Sequence, residues 1–127
     1  MGGVMAEEGG GRRILWVECD GEKRKNLGFV LKLAGYRVTP VRTSYEALDW
    51  VVKRQGTPER FFALVLGSLT CAPGGSWLVG QLNRSGAALP ILLVSEADPC
   101  AAEMAGPIIA CRPEEVTRHL ELLADNE

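Results

Sequence analysis

Phe61-Phe62-Ala63-Leu64-Val65-Leu66 runs straight into Gly67-Ser68 and then into a Pro- and Gly-bearing stretch over residues 70–75. Six apolar residues bounded by turn formers are too short for a helix and suit a strand buried on both faces. The same pattern recurs outward in both directions. Upstream, Arg13-Ile14-Leu15-Trp16-Val17 is an apolar run closed by Glu18-Cys19-Asp20-Gly21, and residues 36–40 read as a short second strand. Downstream, Pro90-Ile91-Leu92-Leu93-Val94-Ser95 reads as a fourth strand and residues 107–111 as a fifth.

Between the strands the apolar residues recur at the helical period of 3.6. Over residues 22–34, Leu27, Val30, Leu31 and Ala34 fall at i, i+3, i+4 and i+7, with Lys23, Arg24, Lys25 and Lys32 on the solvated face. Gly35 suits the end of that helix. Thr43-Ser44-Tyr45-Glu46 has the spacing of a capping box, and the helix it opens runs to about residue 55. A third helix is expected over residues 77–84, closed by Gly86, and at most two turns fit within residues 96–106. Pro113 opens the last helix, with Glu114 and Glu115 in its first turn and Val116, Leu120 and Leu123 as its buried stripe.

Strict alternation of strands and helices, with strands apolar on both faces, predicts a three-layer α/β/α sandwich around a five-stranded parallel sheet. Right-handed crossovers favour the flavodoxin-like strand order 2-1-3-4-5. The 127 residues make one domain, expected over residues 12–127, behind a Gly-rich lead-in at 1–11 that is expected to be disordered. Apolar residues at 46% and charged residues at 24% fit a water-soluble globular chain, and a net charge of −2 speaks against a general nucleic-acid footprint. An acidic protein can still carry one local basic patch. No apolar run reaches the ~20 residues needed to span a bilayer, and the N-terminus lacks the layout of a signal peptide. A cytoplasmic protein without membrane contact is expected.

The order of these segments resembles the receiver domain of response regulators. Ile14-Leu15-Trp16-Val17-Glu18-Cys19-Asp20 is similar to the family's opening strand and acidic cluster. Leu33-Ala34-Gly35-Tyr36-Arg37-Val38 resembles its turn into the second strand, and Ser44-Tyr45-Glu46-Ala47-Leu48 its second-helix start. Ala63-Leu64-Val65-Leu66-Gly67-Ser68-Leu69, with Pro73-Gly74, resembles the third strand and its loop, although Pro73 sits one residue late. Pro90 to Ser95 and Arg112-Pro113 complete the likeness, which covers residues 12–124.

The resemblance implies a pocket that takes a phosphoryl group onto an aspartate, with Mg²⁺ neutralising charge in a loose transition state. Position by position, this pocket is degenerate. Ser68 falls where the acceptor aspartate belongs, and a serine needs an adjacent base to act as a nucleophile. Cys19 replaces the direct metal ligand with a soft thiol that suits Mg²⁺ poorly. Glu18 and Asp20 keep the flanking acids, Ser95 keeps the hydroxyl, and Arg112 stands for the lysine. Ile109 occupies the switch-aromatic position. We therefore expect no catalytic residue and no cofactor, Mg²⁺ included, with a remnant cation site at Glu18 and Asp20 as the lesser alternative. Asp20 is expected to cap the first helix, and Arg112 to form a salt bridge with Glu18 or Asp20.

The function that follows is a stand-alone, non-enzymatic, phosphorylation-independent signalling domain of the two-component (phosphorelay) type, acting by protein–protein interaction. Its partner would be a kinase, regulator or effector, and the chain itself a monomer or weak homodimer. The alternative is a cysteine-based redox or metal sensor on the same fold. Cys19, Cys71, Cys100 and Cys111 lack metal-ligand spacing and read as reduced thiols, but Cys19, Cys71 and Cys111 all fall near the carboxyl edge of the sheet, with Arg112 placed to lower the Cys111 pKa. His119 reads as surface packing and Trp16 as core, with Trp50 and Trp77 packed on the sheet. A third reading, a small enzyme or nucleotide-binding protein, lacks any Gly-rich phosphate-binding motif after a strand.

Overall fold

The computed structural model describes residues 10–67, 74–87, 89–94 and 108–125. The chain runs β1 (Arg13–Val17), α1 (Gly21–Leu33), β2 (Arg37–Val41), α2 (Ser44–Arg54), β3 (Ala63–Leu66), α3 (Gly75–Arg84), β4 (Ile91–Val94), β5 (Ile108–Cys111), a 3₁₀ turn (Pro113–Glu115) and α4 (Val116–Asp125). The strands form one parallel sheet in the order β2-β1-β3-β4-β5, as the sequence pattern predicts.

Alternation along the strands builds two cores. Leu15 and Val17 of β1, Leu64 and Leu66 of β3, and Ile91 and Leu93 of β4 face α2 and α3, meeting Ala47, Val51, Leu78 and Leu82. Ile14 and Trp16, Ala63 and Val65, and Leu92 and Val94 face α1 and α4, meeting Leu31, Val116 and Leu120. Both faces of the central strands β1, β3 and β4 are covered, so these strands are almost wholly apolar and carry no polar face, whereas the edge strand β2 keeps polar Arg37 and Thr39.

Several element bounds differ from the sequence reading. Phe61 and Phe62 precede β3, and the Phe62 N–H donates to the Arg13 carbonyl at 2.7 Å. α3 begins two residues early, at Gly75, and β2 is shifted to end on buried Val41. Pro113 opens a 3₁₀ turn, with helix geometry following from Val116. The expected short helix at 96–106 lies outside the described residues.

The buried stripe of α1 also differs. Gly28 and Leu31 are buried, with Leu27 and Ala34 packed beside them, whereas Val30 is 47% exposed. The cause is Trp16. Its indole lies under α1, with Cδ1 at 3.7 Å from where a Gly28 Cβ would stand, and it draws the Gly28 side of the helix onto the sheet. The Trp16 Nε1–H donates to the Arg24 carbonyl at 2.8 Å, satisfying the only polar atom of the indole. Gly35 takes φ +94° after the helix, where the Tyr36 N–H donates to the Leu31 carbonyl at 3.2 Å.

Candidate functional site

In a parallel sheet of this kind ligands bind at the carboxyl ends of the strands. The register aligns Val17 of β1 with Val41 of β2 and Leu66 of β3, so Glu18 and Gly67 leave the sheet side by side at that edge. The Glu18 N–H donates to the Val41 carbonyl at 3.1 Å, and the Gly67 N–H to the Val17 carbonyl at 2.8 Å. Both residues are therefore fixed by the sheet itself.

Glu18 turns inward and is only 2% exposed. Its Oε2 accepts the Asp20 N–H at 2.9 Å, and its Oε1 sits against Gly67 in the space a β-carbon there would need. The benzo edge of Trp16 occupies the rest of that space, with Cη2 at 2.6 Å from the would-be Cβ. Only glycine fits at 67. The Glu18 carbonyl in turn accepts a guanidinium N–H of Arg24 at 2.9 Å. Arg24 is half-buried rather than part of the solvated face, because Trp16 holds its backbone and Glu18 its side chain.

Asp20 is the N-cap of α1. Its Oδ1 accepts the N–H groups of Glu22 and Lys23, each at 3.0 Å. The Lys23 N–H bond is the main reason its pKa lies below the ordinary 3.8; desolvation opposes it, and the Glu22 N–H and the charges of Lys23 and Arg24 add to the lowering. Cys19, between the two acids, is exposed.

At the other edge of the sheet, Arg112 directly follows β5 and is exposed. The expected salt bridge to Glu18 or Asp20 is not formed. Instead the Arg112 N–H donates to Glu115 Oε1 at 2.9 Å, and the Glu115 N–H returns to the Arg112 carbonyl at 2.9 Å. Through its backbone alone, Arg112 therefore takes part in the turn that opens α4. Ile109 is 38% exposed on the edge strand β5. Ser68 and Ser95 lie outside the described residues, as do Cys71 and Cys100.

Cys111 is a buried thiol, which goes against the sensor alternative for the cysteines. It is 1% exposed, and burial pushes its pKa from the ordinary 9.0 to about 11, with the Glu115 charge adding to the rise. The neighbouring Arg112 does not lower it. Among the described residues, no group of three or more His, Cys, Asp or Glu side chains is placed to hold a metal ion.

Trp16, Arg24 and Gly67 are the parts of this site that sequence reasoning missed. A Gly directly after the most apolar strand was the available signal. Its meaning depends on two side chains 49 and 51 positions earlier in the chain, so no local pattern exposes it.

No protein-family model and no curated protein sequence matches the chain. Solved structures do. A sensor protein from Polaromonas superposes with a TM-score of 0.74 at 23% identity, over 91% of this chain and 97% of that one. The receiver domain of a sensor histidine kinase from Pseudomonas aeruginosa, solved with a magnesium ion in its active-site cleft, gives 0.70 at 21% identity over 91% and 98%. A response regulator assigned in Chloroflexus aurantiacus gives 0.67 at 26% over 89% and 98%. The chain has the receiver fold of response regulators, the signalling fold of two-component systems. No helix of the described residues is long and apolar enough to cross a membrane.

Proposed function

We propose that this chain is a receiver-type signalling module that works without aspartyl phosphorylation and acts by docking a protein partner in the cytoplasm. One observation carries the reading. Both acids retained in the opening cluster already serve the protein's own backbone: Glu18 accepts the Asp20 N–H from a buried position, and Asp20 accepts two N–H groups of α1. Mg²⁺ wants several oxygen ligands in near-octahedral geometry. A buried, hydrogen-bonded Glu18, a Cys19 thiol and a capping Asp20 are a poor donor set for it. With Ser68 at the acceptor position and Cys19 at the metal-ligand position, the oxygen anions that the family's reaction needs are reduced to Glu18 and Asp20.

The docking half of the proposal rests on α1. Phe29 and Leu33 lie one turn apart and are 62% and 72% exposed, with exposed Val30 beside them. Large apolar groups clustered on one helix face are a frequent mark of a protein contact. Burial and the raised pKa of Cys111 count against the rival thiol-sensor reading, since the thiolate is the reactive form.

The test is incubation of the protein with a small-molecule phospho-donor and Mg²⁺, followed by intact-mass measurement. An unchanged mass is expected. A stoichiometric, base-labile phosphoryl adduct would sink the proposal.

A further inference from the structure

At the opposite, amino edge of the sheet, the C-terminal ends of α2 and α3 meet beside the start of β3. Gln55 Nε2 donates to the Ser85 carbonyl at 3.3 Å and joins the two ends. Between them lies a notch of about 120 Å³ walled by Val51, Phe61, Ala87 and Leu89, with the exposed Arg60 at its lip. The notch is apolar inside and open on one side.

Its surroundings are basic. The Arg54 guanidinium lies 4.4 Å from the Trp50 ring centre and 5.2 Å from that of Phe61, the residue that floors the notch. Stacking on two rings fixes the guanidinium without using its five N–H donors. Arg84 ends α3 on the same edge. The acids close by are already engaged: Asp49 pairs with Lys53 at 3.5 Å and Glu59 with Arg13 at 3.8 Å. Among the described residues, Arg54, Arg60 and Arg84 have no carboxylate partner. Basic residues in the last turn of a helix complement its dipole, which accounts for Lys53, Arg54 and Arg84. It does not account for Arg60, which follows no helix end and stands beside an apolar hollow.

We propose that this notch is a docking site for an acidic linear peptide carrying one branched aliphatic residue. The aliphatic side chain enters between Phe61 and Leu89, and flanking carboxylates pair with Arg54 and Arg60, for which a guanidinium is the best-matched donor. A polyanion alone would have no use for the notch, and an apolar ligand alone none for the arginines. The site lies at the other end of the strands from Glu18, so it stands whether or not the phosphorylation-independent reading does.

The probe is the capped peptide Gly-Glu-Glu-Leu-Glu-Glu-Gly, titrated into the ¹⁵N-labelled full chain and followed by NMR. Saturable shifts at the amides of Val51, Gln55, Arg60, Phe61 and Leu89 are expected. Replacing the peptide leucine with glycine, or introducing Arg60→Glu, should each weaken binding by about tenfold. Ala87→Leu, which fills the notch, should do the same. If that variant fails to fold, the exposed Arg60→Glu change and the glycine peptide still decide the matter. The proposal is overturned by absent or non-saturating shifts, by shifts centred elsewhere, or by equal binding of the glycine peptide. Tighter binding of a single-stranded oligonucleotide at the same amides overturns it as well, because the surface would then be a general polyanion site.

Discussion

A methyl group added at Gly67 would meet the Glu18 carboxylate and stand 2.6 Å from Trp16 Cη2. Both neighbours are buried and held in place, Glu18 by the Asp20 N–H and Trp16 by the Arg24 carbonyl, so neither can step aside cheaply. Gly67→Ala should therefore cost about 2 kcal/mol by overpacking, read as a lower midpoint in urea at unchanged slope. Cys111 sets a pH dependence at the same scale. Its folded pKa of about 11 lies above the ordinary 9.0, so above pH 9 the unfolded chain gives up the thiol proton while the folded chain keeps it. Stability should fall as pH rises from 9 towards 11, and Cys111→Ala should flatten that fall. At about pH 7.5 the Cys111 thiol should react with iodoacetamide only after denaturation. Asp20 acts in the other direction: its lowered pKa stabilises α1 at neutral pH, and that contribution is lost as pH falls through its folded value.

α1 shows how an element is set by its neighbours. Its sequence is apolar on more than one side, and the i, i+3, i+4 pattern points to Val30 as a core residue. The indole of Trp16 decides otherwise by taking the place over Gly28 and leaving Val30 outside. A Cβ at Gly28 would sit 3.7 Å from Trp16 Cδ1, an ordinary contact, in the middle of a helix where glycine is disfavoured. Gly28→Ala should thus stabilise the protein by about 1 kcal/mol, raising Tm by roughly 4 °C. The same substitution is expected to have opposite signs at positions 28 and 67. The α2 cap was open to the eye in the sequence. Thr43 Oγ1 accepts the Glu46 N–H at 3.2 Å, and Glu46 reaches back to the Arg42 N–H at 3.4 Å, one residue before the cap. Thr43→Ala should cost about 1 kcal/mol, measured by thermal unfolding.

For the molecule as a whole, the receiver fold and the receiver reaction have different requirements. The fold needs only alternating apolar strands covered on both faces, and these are complete. The reaction needs oxygen anions presented together at one edge, and the two that remain in the opening cluster turn to the backbone. If the proposed reading holds, an aspartate at position 68 alone should not bring the reaction. On the proposed reading, Ser68→Asp should stay unmodified with a phospho-donor and Mg²⁺, by intact mass, because the Cys19 thiol and the buried, hydrogen-bonded Glu18 remain a poor donor set for the metal. A full phosphoryl adduct on that single variant would place the whole defect at Ser68 and show that Cys19 and Glu18 are no obstacle to the reaction.

The layers, the parallel sheet and its strand order are all written in the amino-acid sequence, because burial on two faces imposes unbroken apolar strands and because β-α alternation with right-handed crossovers leaves few arrangements. The sequence also shows which residue types follow the first strand, Glu18, Cys19 and Asp20, since that is a matter of identity at a position. It does not show where the remaining side chains turn. The inward Glu18 is held by the Asp20 N–H, the recruitment of Arg24 and the requirement for glycine at 67 come from Glu18 and Trp16 together, and the rotation of α1 follows from the Trp16 indole. The turn after β5 is closed by the Arg112 backbone N–H on the Glu115 carboxylate. These are contacts between residues distant in the chain, or choices among near-equal local partners. They are settled by packing, in which space at one point is already taken by a side chain from elsewhere.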